Sequence, residues 1–210
     1  MDWVTSKSHL DVLYKVLLKT EALKTGVFRL SSGNLSPYYV NMRLTLSYPS
    51  AFSSLVGIYR QIIESSNVLK NQGYVCGVPT SGLPFASAAA YSLGKALVYV
   101  KGAREVHRGE RMVEGVLKAG STAILLDDVV GTGTTLAGAS EAVRREGGMV
   151  TDAVVLLDRE EGGRSLLESS GVELHAAARI TDIAQRLLND GFIDEDSFKK
   201  VMAQTTSQKT

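Results

Sequence analysis

The sequence lacks much of what several classes of protein depend on. Among its 210 residues there is a single cysteine, Cys76, so no internal disulfide can form. Cys76 stands in an apolar stretch, which predicts a buried and unreactive thiol. Histidine is almost as rare, with three residues, and His9 and His175 do not group with cysteine or carboxylate residues at ligand spacing. A zinc site is therefore not expected; His9 should lie at the surface and His175 in a strand.

Long hydrophobic runs and an excess of one charge are also missing. No apolar run reaches the roughly 20 residues that a helix needs to cross a bilayer. Residues 1–10 contain no long apolar segment of the kind found in a leader peptide. The formal net charge is +1, which gives no reason to expect a surface for nucleic acid or membranes. We therefore predict a cytoplasmic protein whose partners are small molecules, with no nucleic acid and no membrane among them.

What the chain does contain is 44% apolar residues, enough to fill the core of one domain. Five apolar strands, with helices between them, are predicted at residues 74–77, 96–100, 122–127, 151–157 and 173–178. Such alternation favours an α/β fold in which helices flank a central parallel sheet.

The amino-terminal part has a different pattern. An amphipathic helix around residues 10–18 precedes two short strands at residues 27–30 and 38–42, which flank a turn at residues 31–37. We interpret these strands as a small hood. The predicted division of the chain is an N-terminal helix and hood at 1–45, a core at 46–204 and a frayed tail at 205–210.

The most informative segment is residues 123–135, AILLDDVVGTGTT. Its apolar half predicts a strand buried on both faces, and two adjacent carboxylates follow, Asp127 and Asp128. They alternate sides, so at least one should face a ligand beyond the carboxyl end of the strand, where open α/β sheets bind. The Gly/Thr loop opens a predicted helix, whose free N–H groups and positive dipole end favour a phosphate.

Two commoner phosphate motifs fit this chain poorly. A dinucleotide fingerprint needs a glycine where Leu136 stands, and carboxylates just before the loop would repel a pyrophosphate. Residues 77–82 have the glycine spacing of a nucleoside-triphosphatase loop, but Leu83 and Pro84 stand where Lys and Ser or Thr are needed. The remaining arrangement is carboxylates for ribose hydroxyls, directly or through Mg²⁺, with a phosphate in the adjoining loop. A sugar phosphate fits both parts.

Residues 127–135, DDVVGTGTT, resemble the ribose-phosphate signature of the type I phosphoribosyltransferases. Five further segments are similar in order and spacing to those of orotate phosphoribosyltransferases: residues 22–28, 32–38, 75–79, 111–115 and 157–163. The resemblance extends over about residues 22–181. It implies the type I phosphoribosyltransferase fold with a small N-terminal hood.

The resemblance also implies a reaction. The ribose 5-phosphate of 5-phosphoribosyl 1-diphosphate (PRPP) would be transferred to orotate, giving orotidine 5′-monophosphate and pyrophosphate in pyrimidine synthesis, with Mg²⁺ as cofactor. Asp127 and Asp128 would stabilise an oxocarbenium-like sugar and lie near the Mg²⁺ that PRPP carries. Arg104 and His107 are the other candidate catalytic residues. Residues implied to bind PRPP are Lys101, Arg108, Asp127, Asp128, Val129, Val130, Gly131, Thr132, Gly133, Thr134, Thr135, Val78, Pro79, Thr80 and Ser81.

The base site implied by the resemblance centres on Arg159, whose guanidinium would pair with the orotate carboxylate. The alternative for Arg159 is an ordinary surface ion pair with a neighbouring glutamate. Gly131, Tyr39 and Val40 would complete the site, with Tyr39 stacking on the pyrimidine or, alternatively, belonging to the core.

Residues 101–115, KGAREVHRGERMVEG, form a basic loop between predicted strands and are too polar for a core. Such a loop can close over a polyphosphate, stabilise its developing charge and exclude water. In the family the matching loop reaches the neighbouring subunit's site, so the resemblance implies a homodimer. A solvated basic loop is the alternative.

The chain departs from the family pattern in four places. Ser31, Gly102 and Glu105 stand where lysines are usual, and Gly131 replaces a threonine. Each change removes a donor near an anionic ligand, and a charge-assisted contact is worth about 1.5–3 kcal/mol. Arginines of the basic loop could supply charge from shifted places. A phosphoribosyltransferase for another base, or a PRPP- or nucleotide-binding regulatory protein without orotate turnover, therefore stays open.

Overall fold

The structure, a computed structural model, describes residues 7–29, 35–102 and 111–206. The elements in these ranges are, in order, α1 (Lys7–Lys19), β1 (Leu23–Arg29), β2 (Leu35–Val40), a 3₁₀-helix (Met42–Ser47), α2 (Pro49–Ser65), α3 (Asn67–Asn71), β3 (Tyr74–Gly77), α4 (Gly82–Leu93), β4 (Ala96–Val100), β5 (Val113–Glu114), β6 (Thr122–Leu126), β7 (Val129–Val130), α5 (Thr134–Arg145), β8 (Met149–Asp158), α6 (Gly163–Ser169), β9 (Glu173–Arg179), α7 (Ile180–Asn189) and α8 (Glu195–Thr206). The residues of interest that lie outside the described ranges are Ser31, Arg104, Glu105, His107 and Arg108.

The main sheet confirms the predicted α/β class. Its strands are ordered β5-β4-β3-β6-β8. The short strand β7 also pairs with β8, and β9 pairs with β8 along the opposite edge. Every pair is parallel except β4 with β5. Because the carboxyl ends of parallel strands share one edge, segments that follow β3, β4, β6 and β8 meet there.

β6 and β7 are two parts of one line of pairing along β8. Leu126 lies opposite Val154 and Val129 opposite Leu157, so the offset between the strands is the same on both sides of residues 127–128. Backbone hydrogen bonds continue across this gap, from the Asp127 N–H to the Val154 carbonyl at 3.2 Å. The predicted strand end at 127 is therefore close to the observed one at Leu126.

The two faces of the sheet build two hydrophobic cores. Ile124 and Leu126 pack with buried residues of α1, α2, α4 and α7, whereas Ala123 and Leu125 pack with those of α5 and α6. Burying one such leucine or isoleucine stabilises the fold by about 1.5–3 kcal/mol. Cys76 lies in the second core, where burial raises the pKa of its thiol to about 12, which confirms a buried and unreactive cysteine.

The hood differs in its boundaries from the prediction. Its first strand begins at Leu23 rather than at residue 27, because the pairing with β2 shifts register between Thr25 and Phe28 and so breaks the expected alternation. Its second strand ends at Val40 rather than at residue 42, since a 3₁₀-helix begins at Met42.

The carboxyl-terminal helix α8 continues to Thr206, two residues into the predicted tail. Thr205 is buried, and α8 packs on β2 of the hood. Within the ranges that the structure describes, no helix combines the length and the apolar character needed to span a bilayer.

A buried polar cluster lies near the amino ends of β8 and β9. His175 Nε2 is 2.8 Å from Asp152 Oδ1, and Asp152 also accepts hydrogen bonds from Gln72 Nε2 at 2.5 Å and from the Thr151 hydroxyl at 2.7 Å. The expectation that His175 does not group with carboxylates is therefore wrong, because parallel register sets Asp152 opposite Glu173. The ligand atoms of Asp152, Glu173 and His175 all lie within 4.8 Å of one another.

Replacing Asp152 by asparagine is expected to lower the free energy of unfolding by about 1–3 kcal/mol, because buried partners lose a charged acceptor. Burial raises the pKa of the Asp152 carboxyl, but hydrogen bonds from His175, Thr151 and Gln72 outweigh it and hold the pKa below its ordinary 3.8. Such a carboxylate stabilises the fold above its unfolded pKa, and that contribution disappears as the pH falls through the lower folded value. Urea unfolding of wild type and variant should show a gap between their free energies of unfolding at neutral pH, and this gap should close in acid. A gap that stays constant down to about pH 3 would contradict this role.

Candidate active site

A cavity of about 850 Å³ opens at the carboxyl ends of β6 and β8 and at the start of α5. Its lining residues are Arg29, Tyr39, Val40, Asn41, Met42, Arg43, Ser81, Asp127, Asp128, Val129, Val130, Gly131, Thr132, Gly133, Thr134, Thr135, Leu136, Arg159 and Glu161. The structure thus brings together the predicted carboxylates, the Gly/Thr loop, the arginine of the base site and part of the hood.

Asp127 and Asp128 both line the cavity, whereas the sequence predicted only that at least one of them faces a ligand. Asp127 Oδ1 accepts a hydrogen bond from the Asp128 N–H at 2.9 Å, and Asp128 Oδ1 accepts from the Val129 N–H at 2.9 Å. The Ser81 hydroxyl donates to the same Asp128 oxygen at 3.0 Å. From α2, the Tyr59 hydroxyl donates to the Asp127 carbonyl at 2.6 Å, which fixes the backbone beneath the pair.

The electrostatics of this pair favour a cation. Burial raises the pKa of Asp127 well above its ordinary value, and the charge of Asp128 raises it further. Burial also raises the pKa of Asp128, although hydrogen bonds partly offset this. Among the residues that the structure describes, no lysine, arginine or histidine forms an ion pair with either carboxylate. Two neighbouring carboxylates without a counter-ion are stabilised by a positive charge placed between them and the ligand.

The Gly/Thr loop ends at the start of α5, as predicted. Gly133 has a φ of +81°, a left-handed conformation that glycine adopts without strain, and it precedes the first residue of the helix, Thr134. The Thr132 and Thr134 hydroxyls are 3.2 Å apart. The loop therefore presents hydroxyls and a helix amino terminus to the cavity, which is the arrangement that binds a phosphate.

Arg159 follows β8 and is anchored by its backbone, whose N–H donates to the Val130 carbonyl at 2.8 Å. Its Nε donates to the Tyr38 hydroxyl at 3.3 Å, and its guanidinium carbon lies 5.3 Å from the centre of the Tyr38 ring. Its Nη2 is 2.5 Å from Glu161 Oε1. The predicted alternative of an ion pair with a neighbouring glutamate is thus real, but the glutamate is buried and the arginine half-buried in the cavity wall.

Glu161 is the unexpected member of the site. Its side chain is only 6% exposed, and its Oε1 also accepts a hydrogen bond from Gln204 Nε2 of α8 at 2.7 Å. Burial raises the pKa of the Glu161 carboxyl, while Arg159 and Gln204 partly offset that rise. A Cβ atom added at Gly131 would lie 2.8 Å from Glu161 Oε2, so this carboxylate occupies the space beside the glycine.

The two adjacent tyrosines of β2 have different surroundings. Tyr39 is 38% exposed, lines the cavity and packs on Phe28 with ring centres 5.7 Å apart. Tyr38 is buried among core residues. Tyr39 therefore does not belong to the core, which was the alternative for it, and it keeps a face that a planar ligand can reach.

Some predicted residues do not line the cavity. The resemblance implied that Val78 binds PRPP, but Val78 is buried outside the lining and its N–H already donates to the Leu126 carbonyl at 3.0 Å. Lys101 pairs with Glu114 at 3.0 Å, at the base of the basic loop. Pro79 and Thr80 lie between Val78 and Ser81 but outside the lining, and a cis peptide bond joins them.

Sequence reasoning missed several cavity residues. Arg29 and Arg43 add positive charge to the lining, and Arg43 Nε donates to Asn41 Oδ1 at 3.1 Å. Glu161 was considered only as a surface partner of Arg159. An arginine just before the turn of a hood hairpin is the one signal that could have indicated Arg29, because a hood covers a ligand with polar groups.

The comparisons agree with this geometry. Residues 52–170 match the phosphoribosyl transferase domain family. The orotate phosphoribosyltransferase of Pyrobaculum islandicum is 36% identical over 186 residues, which cover 88% of this chain and 93% of that protein. The uridine 5′-monophosphate synthase of Bos taurus is 31% identical over 185 residues, which cover 88% of this chain and 38% of that protein.

Among solved structures, that of the orotate phosphoribosyltransferase from Aeropyrum pernix superimposes with a TM-score of 0.73 at 36% sequence identity, over 83% of this chain and 98% of that one. The fold is therefore the type I phosphoribosyltransferase fold, with the hood that the resemblance implied. On sequence and structure together, the chain belongs to the orotate phosphoribosyltransferase family.

Proposed function

We propose that this protein is a glycosyltransferase that moves the 5-phosphoribosyl group of PRPP to orotate, releasing pyrophosphate and forming orotidine 5′-monophosphate in pyrimidine biosynthesis. One observation carries the proposal: a single cavity joins a carboxylate pair, a Gly/Thr loop at a helix amino terminus and a half-buried arginine. These suit a ribose, a phosphate and a carboxylated base respectively. The relatives named above carry out the activity that their names state, and the chain matches one of them over nearly its full length.

Each part of the cavity has a task in this reaction. The loop at residues 131–135 binds the 5-phosphate through hydroxyls and the amino terminus of α5. Asp127 and Asp128 face the ribose, where their negative charge stabilises a sugar that becomes positive as the bond to pyrophosphate breaks. Arg159 binds the carboxylate of orotate and Tyr39 covers the ring, so that the base nitrogen is held for attack on the sugar.

Magnesium fits the donor set of this cavity. The two carboxylates and the Ser81 hydroxyl are the hard oxygen ligands that Mg²⁺ prefers, and no described cation neutralises them. We propose that Asp127 and Asp128 hold Mg²⁺-bound PRPP, directly or through water. When bound, the ion supplies positive charge to the departing pyrophosphate.

We assign the protein to the cytoplasm, a reducing compartment in which a chain without disulfides is stable.

A direct assay tests the function. Purified protein is mixed with PRPP, Mg²⁺ and orotate, and the loss of orotate absorbance is followed together with pyrophosphate release. Turnover of orotate supports the proposal. Turnover of other bases but not orotate would identify a different phosphoribosyltransferase, and PRPP binding without turnover of any base would identify a regulatory member of the family.

We also propose that the protein works as a homodimer. Leu97 and Tyr99 of β4 are each 38% exposed, on the sheet face that carries α4, and Tyr91 of α4 is 91% exposed. Exposed apolar side chains grouped near one sheet edge are typical of a surface that another protein covers. The basic loop starts from β4 beside this surface, so a partner bound there would lie within reach of the loop.

A complementation experiment tests the shared site. A loop variant, Arg104→Ala with His107→Ala, and a cavity variant, Asp128→Asn, are each expected to have low turnover alone. Mixed dimers contain one site with both intact parts if the loop acts on the neighbour, so co-expressed variants should recover about one quarter of wild-type activity. Analytical ultracentrifugation shows whether each variant still dimerises. Activity no greater than the mean of the two variants would assign the loop to its own subunit.

A further inference from the structure

We propose that Glu161 is a specificity-determining residue that competes with the base for Arg159. Before the base binds, the Glu161 carboxylate pairs with the Arg159 guanidinium. When orotate binds, its carboxylate takes over this pairing. The inference rests on the proposed function, because it concerns the base site of that reaction.

The contact between the two residues is close but poorly aligned. Arg159 Nη2 lies 2.5 Å from Glu161 Oε1, with the two side chains 18% and 6% exposed. Nη2 nevertheless makes no hydrogen bond of good geometry within the part of the chain that the structure describes. The contact is therefore an ion pair without a well-aligned hydrogen bond from Nη2. The guanidinium can exchange this partner for a carboxylate that its N–H groups meet in line.

Gly131 makes room for this arrangement. A Cβ at that position would lie 2.8 Å from Glu161 Oε2, which is tighter than side chains tolerate, so a threonine there would displace the carboxylate. The replacement of the family's usual threonine by glycine and the position of Glu161 are thus complementary. Gly131 supplies no side-chain hydroxyl, and the Glu161 carboxylate stands beside it.

Glu161 keeps a partner when Arg159 is taken from it. Gln204 Nε2 donates to Glu161 Oε1 at 2.7 Å, and the Ser36 hydroxyl in turn donates to Gln204 Oε1 at 3.1 Å. An exchange of partners at Arg159 therefore does not leave the buried carboxylate without any hydrogen bond. The cost of the exchange is the repulsion between two carboxylates near one guanidinium, which acts on a carboxylated base and not on a neutral one.

The test compares bases with and without a carboxylate. In Glu161→Gln the side chain keeps its size and an oxygen for Gln204, but it loses its charge. The dissociation constant of orotate, measured by calorimetry in the presence of pyrophosphate and Mg²⁺, should fall about tenfold, and the KM for orotate should fall with it. The dissociation constant of uracil and the KM for PRPP should stay as they are. The matched control is Glu160→Gln, which removes an equal charge from a side chain that accepts from the Thr181 N–H instead of touching Arg159.

Two kinds of result would overturn the inference. Unchanged orotate binding in Glu161→Gln would show that the glutamate does not compete, and weaker binding would show that it supports Arg159. The proposed function is judged separately on the wild-type protein. If wild type binds no orotate but Glu161→Gln does, competition is established and orotate turnover by this chain is rejected; if neither protein binds orotate, both proposals fail.

Discussion

Replacing Asp128 by asparagine is expected to lower kcat by about 10²- to 10³-fold, because the reacting ribose loses a negative charge that stabilises it. Steady-state rates with PRPP and orotate at saturating Mg²⁺ measure this effect. The hydrogen bonds from the Val129 N–H and the Ser81 hydroxyl can still reach an asparagine oxygen, so the local geometry is retained.

The free energy of unfolding of Asp128→Asn is not expected to fall with its kcat. A carboxyl whose pKa is raised by folding destabilises the folded state once the pH rises above its unfolded pKa, so at neutral pH the ionised Asp128 weakens the fold. Removing that charge should leave the free energy of unfolding equal to or above that of wild type. The control is Glu168→Gln, an exposed position on α6 outside the cavity, where both rate and stability should be unchanged. Wild-type turnover in folded Asp128→Asn would remove the pair from the mechanism.

Replacing Arg159 by glutamine is expected to lower kcat/KM for orotate by about 10²- to 10³-fold, since two charge-assisted hydrogen bonds to the base carboxylate are lost. The KM for PRPP should change little, because the phosphate loop and the carboxylate pair are separate from this side chain. Rates measured while each substrate is varied in turn separate the two effects.

In this variant the buried Glu161 carboxylate has lost its cation, and this alone lowers the free energy of unfolding. The double variant Arg159→Gln with Glu161→Gln is therefore the matched control. It should recover the free energy of unfolding without recovering orotate turnover. If kcat/KM fell equally for PRPP and for orotate, the variant would have a general defect instead of a defect in the base site.

The parts of the site that sequence could predict are those fixed by neighbours along the chain. An apolar strand, two carboxylates and a Gly/Thr loop before a helix determine one another over residues 123–135, and the structure keeps them together. Arg159 was identified through the family resemblance, and its place directly after a strand favoured a site at the same sheet edge. In both cases the signal lies in residues that are neighbours along the chain.

Contacts between distant segments could not be predicted in this way. Gln204 reaches Glu161 from 43 residues away, and Tyr59 reaches the Asp127 carbonyl from 68 residues away. Both depend on how helices pack on the sheet, and α8 was expected to fray where Thr205 is in fact buried. The pairing of Asp152 with His175 depends on strand register, which residue spacing does not reveal.

The constant register of residues 124–130 along β8 limits where such an enzyme can evolve. An inserted or deleted residue near Asp127 would shift β7 against β8 and turn its side chains to the opposite face, so this segment tolerates little drift in length. Apart from Gly131, the groups proposed to surround the base come from the hood, from the turn after β8 and from α8, none of which holds the carboxylate pair. New nucleobase preferences can therefore arise by single substitutions in those outlying segments, while the sheet preserves the ribosyl chemistry that all of them share.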